Sequence, residues 1–317
     1  MRILAADIGG SQSRLLLAEL EGEAWRTLRR HTFPSPDFAS VEALLDGFLA
    51  GGETVAAACL AVAGPVASQR VALTNLPWIV DAAALATRFG LRQVRIVNDF
   101  AAQAHGLPAL DADGICTLQA GAPVADGLRA LMGAGTGLGV ALLAGPDAHP
   151  RALPSEGGHA DFAPRNAEEM ALVQDLLPRH GRISLETLLC GRGLERLYRR
   201  AAGLADDAPA SARAIGEAAL AGEPAARDAV ALFGRLLGAA AGNLALTSLA
   251  LGGVYLSGGI TPKLLPLLRD GGLREAFCDK PPMRALMERI PLHVVTDELL
   301  GLKGAAQLAA RLARGLD

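Results

Sequence analysis

ILAADIGGSQSRLLLAEL, Ile3 to Leu20, and RALMGAGTGLGVALLAGP, Arg129 to Pro146, are two versions of one pattern. Each reads as an apolar strand, a turn of glycine and small hydroxylic residues, and a second apolar strand. Such a repeat predicts a duplicated hairpin at the head of two related α/β domains. Outward from the first copy, Ala24 to Phe33 reads as a third strand and Phe38 to Leu49 as a helix capped by Ser40 or Asp37. A buried strand, Val55 to Val62, ends at Gly64-Pro65, and the helix Asp81 to Phe89 leads to another buried strand, Val94 to Val97. Strands of this kind, apolar on both faces and running into polar loops, are parallel strands feeding a site. From about Leu110 the pattern restarts, with strands around Leu128 to Met132 and Val140 to Leu143, then a mostly helical part from Asn166 to Leu251. An amphipathic helix, Leu300 to Leu316, closes the chain. The expected division is a small α/β domain over 1–109, joined by the closing helix 300–317, and a large α/β domain over 110–299.

The 317 residues are 51% hydrophobic with mean hydropathy +0.29, enough for two cores. A formal net charge of -3 lacks the electrostatic footprint of a phosphate-backbone binder, so nucleic acid is excluded as a partner. Cys59, Cys116, Cys190 and Cys278 are scattered, without the spacing of a zinc site or a disulfide framework, which predicts a reduced, cytoplasmic protein. The few apolar residues between Arg2 and Asp7 are too short for the apolar region of a signal peptide. Leu236 to Pro262 carries no charge, but Asn243, Thr247, Ser248 and its glycines favour a buried helix to Ala250 and a strand from Val254 to Ser257 over a membrane span.

Neither glycine turn is a known phosphate signature. No lysine follows a glycine, which excludes the P-loop, and Gly133, Gly135, Gly137 and Gly139 lead into a strand rather than the helix a dinucleotide fingerprint requires. What remains is a strand-turn-strand cradle, in which main-chain N–H groups converge on anionic oxygens and missing Cβ atoms let phosphate approach. Asp7, where the first strand meets its turn, is placed to organise a hydrated Mg²⁺ on a nucleotide, and Ser11 and Thr136 supply hydroxyls at the two tips. One such loop alone is an ordinary hairpin. Two in one chain favour the cradle.

Asn98-Asp99 follows the strand Val94 to Val97 and opens a helix, Phe100 to Leu107. Asp99 is either an N-cap or a base that accepts the proton of a hydroxyl attacking a γ-phosphate. Asn98 beside it can donate to and accept from vicinal hydroxyls. LPSEGGHADFAP places Glu156 and His159 together in a glycine-rich loop that a core would not welcome. Glu186 sits in the first turn of a helix, Ser184 to Leu189, where an acid is also ordinary helix chemistry.

Taken together, DIGGSQSR (Asp7 to Arg14), TNLPW (Thr74 to Trp78), NDF (Asn98 to Phe100), GAGTGLGVA (Gly133 to Ala141), EGGHADFAP (Glu156 to Pro164), GNLAL (Gly242 to Leu246) and SGGI (Ser257 to Ile260) resemble the bacterial ATP-dependent glucokinases. That family is distinct from the repressor/open-reading-frame/kinase (ROK) sugar kinases. The resemblance implies an actin-like ATPase, ribonuclease-H-like fold, two α/β domains flanking a cleft that closes on the sugar. It implies Asp99 as catalytic base, with Asn98, Asp99, Glu156, His159 and Glu186 holding the hydroxyls of glucose. It also implies that Gly9, Gly10, Ser11, Gly133, Gly135, Thr136 and Gly137 cradle the phosphates of ATP, that Gly258 and Gly259 flank the adenosine, and that Asp7 serves Mg²⁺. A cytoplasmic homodimer serving glycolysis is the family's usual form. The chain departs from the family at GGSQ for GGTN, at Ser155 for a glycine before Glu156, and at Cys190-Gly191-Arg192-Gly193. Rival expectations are a kinase for another hexose or amino sugar, a silent sugar or nucleotide sensor, and an actin-like ATPase indifferent to sugar.

Overall fold

A computed structural model describes residues 1–22, 24–49, 51–64, 66, 68–73, 75–270 and 272–316. Pro65, Thr74 and Asp317, which belong to expected segments, lie outside the described residues. The chain divides into two compact units, Met1–Asp111 with Pro150–Pro154 and Asp297–Asp317, and Ala112–His149 with Ser155–Thr296.

The first unit contains β1 (Arg2–Ile8), β2 (Gln12–Glu21), β3 (Ala24–Pro34), α1 (Val41–Phe48), β4 (Ala57–Val62), β5 (Arg70–Ala72), β6 (Ile79–Asp81), α2 (Ala82–Phe89), β7 (Gln93–Asn98) and α3 (Asp99–Gly106). Its five-stranded sheet has the order β3-β2-β1-β4-β7. β1 pairs antiparallel with β2 but parallel with β4, and β4 parallel with β7. Strand alternation explains the two cores. Leu4, Ala6 and Ile8 of β1 pack in one core with Leu44, Leu45, Phe48, Trp78 and Leu85, whereas Ile3 and Ala5 pack in another with the closing helix. Of the two expected caps for α1, Ser40 is the one used, its Oγ accepting the Ala43 N–H at 3.3 Å.

The second unit contains β8 (Ile115–Gln119), β9 (Arg129–Ala134), β10 (Leu138–Ala144), α4 (Ala167–His180), α5 (Leu185–Leu188), α6 (Gly191–Ala201), α7 (Ala212–Ala221), α8 (Pro224–Ser248), β12 (Gly253–Ser257), α9 (Thr261–Leu268), α10 (Gly272–Cys278), α11 (Arg284–Met287) and β13 (Leu292–Val295); β11 (Arg151–Ser155), between β10 and α4 in sequence, falls in the first unit as far as Pro154. The closing helix, α12 (Leu300–Arg314), belongs to the first unit. The second sheet runs β11-β10-β9-β12-β13-β8. β9 is antiparallel to β10 and parallel to β12, so β10-β9-β12 repeats the arrangement of β2-β1-β4. α8 is long and apolar enough to cross a membrane, yet 72% of its most apolar window is buried within the protein. Its glycines let neighbours close in: a Cβ on Gly238 would lie 2.0 Å from the Leu273 carbonyl oxygen of α10. Cys59, Cys190 and Cys278 are buried, Cys116 is half-buried, and none of the four is in a disulfide.

Candidate active site

In the first unit, the register sets Ile8 of β1 beside Val62 of β4, and Val62 beside Asn98 of β7. Asp7, the turn after Ile8 and the Asn98-Asp99 pair thus share the carboxyl edge of three parallel strands, where α/β sheets place ligands. β1 and β7 are two strand spacings apart, about 10 Å. Asp99 does not cap the helix. Asn98 is the N-cap of α3, its Oδ1 accepting the N–H groups of Phe100 and Ala101 at 2.9 and 3.1 Å, and α3 begins at Asp99 rather than Phe100. The Phe100 N–H is shared with Asp99 Oδ1 at 3.0 Å, and the Asp99 side chain is only half-buried. Capping also revises Asn98. With Oδ1 engaged twice and Nδ2 donating to the Gly64 carbonyl at 3.0 Å, the amide keeps one N–H for a ligand and little accepting capacity.

Asp7 lies half-buried, 3.9 Å from Arg14. Burial pushes its carboxyl above the ordinary range, and the Arg14 guanidinium opposes that shift. The turn between β1 and β2 closes through the Gly9 N–H, which donates to the Gln12 carbonyl at 3.0 Å. Ser11 is exposed at its tip, and a Cβ on Gly10 would come within 2.7 Å of Asn75 Cβ.

In the second unit the matching turn closes by Gly135 N–H to Gly137 carbonyl at 2.9 Å, with Thr136 exposed at the tip. Gly133 is not at the tip but buried in β9, opposite Gly139 on one side and Ser257 on the other. Beside it, Gly258 has φ +89 and leaves room for the Ala134 carbonyl oxygen, which a Cβ would approach to 2.3 Å. Gly259 is open. The SGGI segment therefore turns directly alongside the second glycine turn.

Glu156, His159 and Glu186 come together in this unit. The Phe162 N–H donates to the Ile183 carbonyl at 2.9 Å and the Leu185 N–H to the Ala160 carbonyl at 2.9 Å, which zips the glycine loop to the lead-in of α5. His159 Nε2 then lies 3.9 Å from Glu156 and its Nδ1 4.0 Å from Glu186. The other Glu186 oxygen accepts the Leu138 N–H at 2.8 Å and sits against Gly137, so one carboxylate touches the glycine turn and faces the polar loop. The departures fit. Ser155 avoids the left-handed backbone region, and its Oγ accepts the Gly157 N–H at 3.0 Å. Cys190 caps α6, its Sγ accepting the Gly193 N–H at 3.4 Å, and burial pushes its thiol pKa up.

Arg14, Asn75, Ser13 and Ser35 were not singled out. Arg14 stands inside the quoted DIGGSQSR stretch and could have been found as the charge opposite Asp7; the two serines left no signal, because a serine in a strand or after a proline is unremarkable.

Taken unit by unit, these arrangements fit a sugar kinase of the actin-like ATPase fold. The comparisons narrow this. The family model for glucokinase matches residues 4–312. A glucokinase of Nostoc sp. is 37% identical over 98% of this chain and 99% of its own. The crystal structure of a glucokinase from an Antarctic psychrotroph superposes with a TM-score of 0.86 at 34% identity, covering 97% of this chain and 98% of that one. A ROK family glucokinase from Streptomyces griseus, solved with glucose and AMPPNP, shares the fold at a TM-score of 0.66 and 21% identity, over 98% of this chain and all of that one. The chain belongs to the glucokinase family, and it is an ATP-dependent hexose kinase.

Proposed function

We propose that the protein transfers the γ-phosphoryl group of MgATP to the 6-hydroxyl of glucose, giving glucose 6-phosphate and ADP. The observation that carries this is the carboxyl edge of β1, β4 and β7, which holds Asp99, Asp7 and the first phosphate turn on one sheet end. Asp99 accepts the proton of the 6-hydroxyl. In a largely dissociative transfer that proton leaves late, so orientation by the carboxylate matters more than strong basicity. The remaining hydroxyls are held by the one free Asn98 N–H and by Glu156, His159 and Glu186. The turn amides around Ser11 and Thr136 take the phosphates, and Gly258-Gly259 takes the adenosine. That a glucokinase of the same fold was solved with glucose and AMPPNP supports a sugar and a nucleotide as the ligands.

The residues present suit Mg²⁺ held mainly by nucleotide oxygens and water, since such an ion asks the protein for only one or two carboxylates and Asp7 supplies one. When bound, the ion offsets charge on the transferring phosphates. The expected division is 1–109 with 300–317 and 110–299, and a bound sugar shielded from water favours transfer to its hydroxyl over hydrolysis of ATP. A cytoplasmic homodimer serving glycolysis completes the assignment, supported by the family resemblance and, for the compartment, by four cysteines outside any disulfide. A coupled assay of ADP release tests the whole: release is expected only when glucose is added, and equal release without sugar overturns it.

A further inference from the structure

Ser35 follows β3 and holds the first phosphate turn at two points. Its Oγ donates to the Gly9 carbonyl at 2.7 Å, and its N–H donates to the Ser11 carbonyl at 3.0 Å. The Ser13 hydroxyl lies 2.9 Å from Ser35 Oγ, and both serines are 0% exposed. Since Ser35 gives its proton to Gly9, the Ser13 hydroxyl is the donor in that second bond. Ser35 is itself anchored: its carbonyl accepts the Phe38 N–H at 3.2 Å, and the Phe38 carbonyl accepts Trp78 Nε1 at 3.2 Å.

A peptide unit is planar and trans, so the C=O of one residue and the N–H of the next point in opposite directions. Pinning the Gly9 carbonyl to Ser35 aims the Gly10 N–H away from it. Pinning the Ser11 carbonyl does the same for the Gln12 N–H. The Gly9 N–H is already given to Gln12, so of the remaining turn amides, those of Gly10, Ser11 and Gln12, the first and last are the two whose direction Ser35 fixes. The second turn obtains the same effect from a backbone group, because the Gly191 N–H holds the Gly135 carbonyl at 2.9 Å and so turns the Thr136 N–H outward.

We propose that Ser35, oriented by Ser13, is a positioning residue for the phosphoryl donor, presetting the amides of Gly10 and Gln12 before the nucleotide arrives. The inference rests on the phosphate-turn assignment made above. Its benefit is preorganisation: a paired-glycine turn is conformationally free, and donors fixed in advance need no rearrangement when charge appears. Full burial of two hydroxyls that bond to each other and to the turn is a costly choice for a position that only fills space, where alanine would serve.

Calorimetric titration of ADP, adenosine and glucose into the full-length Ser35→Ala, Ser13→Ala and Gly10→Ala proteins tests this. Ser35→Ala is expected to weaken ADP about three- to tenfold, the scale of one net hydrogen bond, with adenosine and glucose affinities unchanged. Ser13→Ala follows the same pattern more weakly, and carries the test if Ser35→Ala fails to fold. Equal losses for ADP and adenosine reduce Ser35 to a structural role and overturn the proposal, as does unchanged ADP affinity while Gly10→Ala weakens it. If Gly10→Ala also leaves ADP untouched, the phosphate-turn assignment itself falls.

Discussion

Asp7 shows how a functional carboxylate sets stability against chemistry. Burial raises its pKa in the folded chain, so the fold retains this proton at pH values where the unfolded chain has lost it. Stability contributed here is therefore present at low pH and lost as pH rises from the ordinary carboxylate value through the raised one. Asp7→Asn is expected to melt at a higher temperature than the parent at neutral pH, with that gain vanishing in acid, while turnover falls about 10²-fold, the scale of one lost electrostatic contact to a transferring group. A lower melting temperature together with normal turnover would remove Asp7 from the site. At this scale Glu156 and His159 were legible, since they stand in a glycine-rich polar loop that a core rejects, whereas Asp99 and Glu186, as acids at helix starts, were singled out only through the family resemblance. What was not legible is which neighbour does which work. That Asn98 rather than Asp99 caps α3 depends on where one helix starts, a matter of a single residue.

Elements were readable where periodicity ran long. β1, β2, β3, α1, β7 and α8 fall where apolar spacing placed them, and α8 with β12 divides the uncharged stretch at the glycines after Ala250. The short strands β5, β6, β8, β11 and β13 were not anticipated, because three to five residues display little periodicity against their flanks, whereas β12, equally short, is set apart by the glycines on either side. Helix crossings were equally invisible. α12 meets α3 through Gly304, where a Cβ would fall 1.7 Å from the Ala102 carbonyl oxygen, and through Gly106, where one would fall 2.3 Å from that of Leu300. Backbone this close leaves no slack, so Gly304→Ala is expected to cost about 1–3 kcal/mol of stability, read as a lower midpoint in chemical denaturation. An unchanged midpoint would show that the two helices can separate freely. Because α3 begins at Asp99, the same substitution is expected to lower turnover in the surviving folded fraction.

For the whole molecule, duplication is the organising fact: β2-β1-β4 and β10-β9-β12 repeat one arrangement, and each copy presents a turn suited to phosphate. That much could be seen in two quoted stretches, because a repeated strand-turn-strand survives in the letters. The hydrogen bonds that zip Glu156, His159 and Glu186 together could not, since they join segments remote in sequence. In the proposed function the base, Asp99, supplies rate, while Asn98, Glu156, His159 and Glu186 hold the sugar. The most direct measurement is therefore the kcat of Asp99→Asn at saturating glucose and ATP, set beside its glucose Kd. The account predicts a fall of about 10²–10⁴ in kcat, with Kd within a few-fold of the parent. Near-normal turnover, or loss of sugar affinity that accounts for the whole defect, would contradict it.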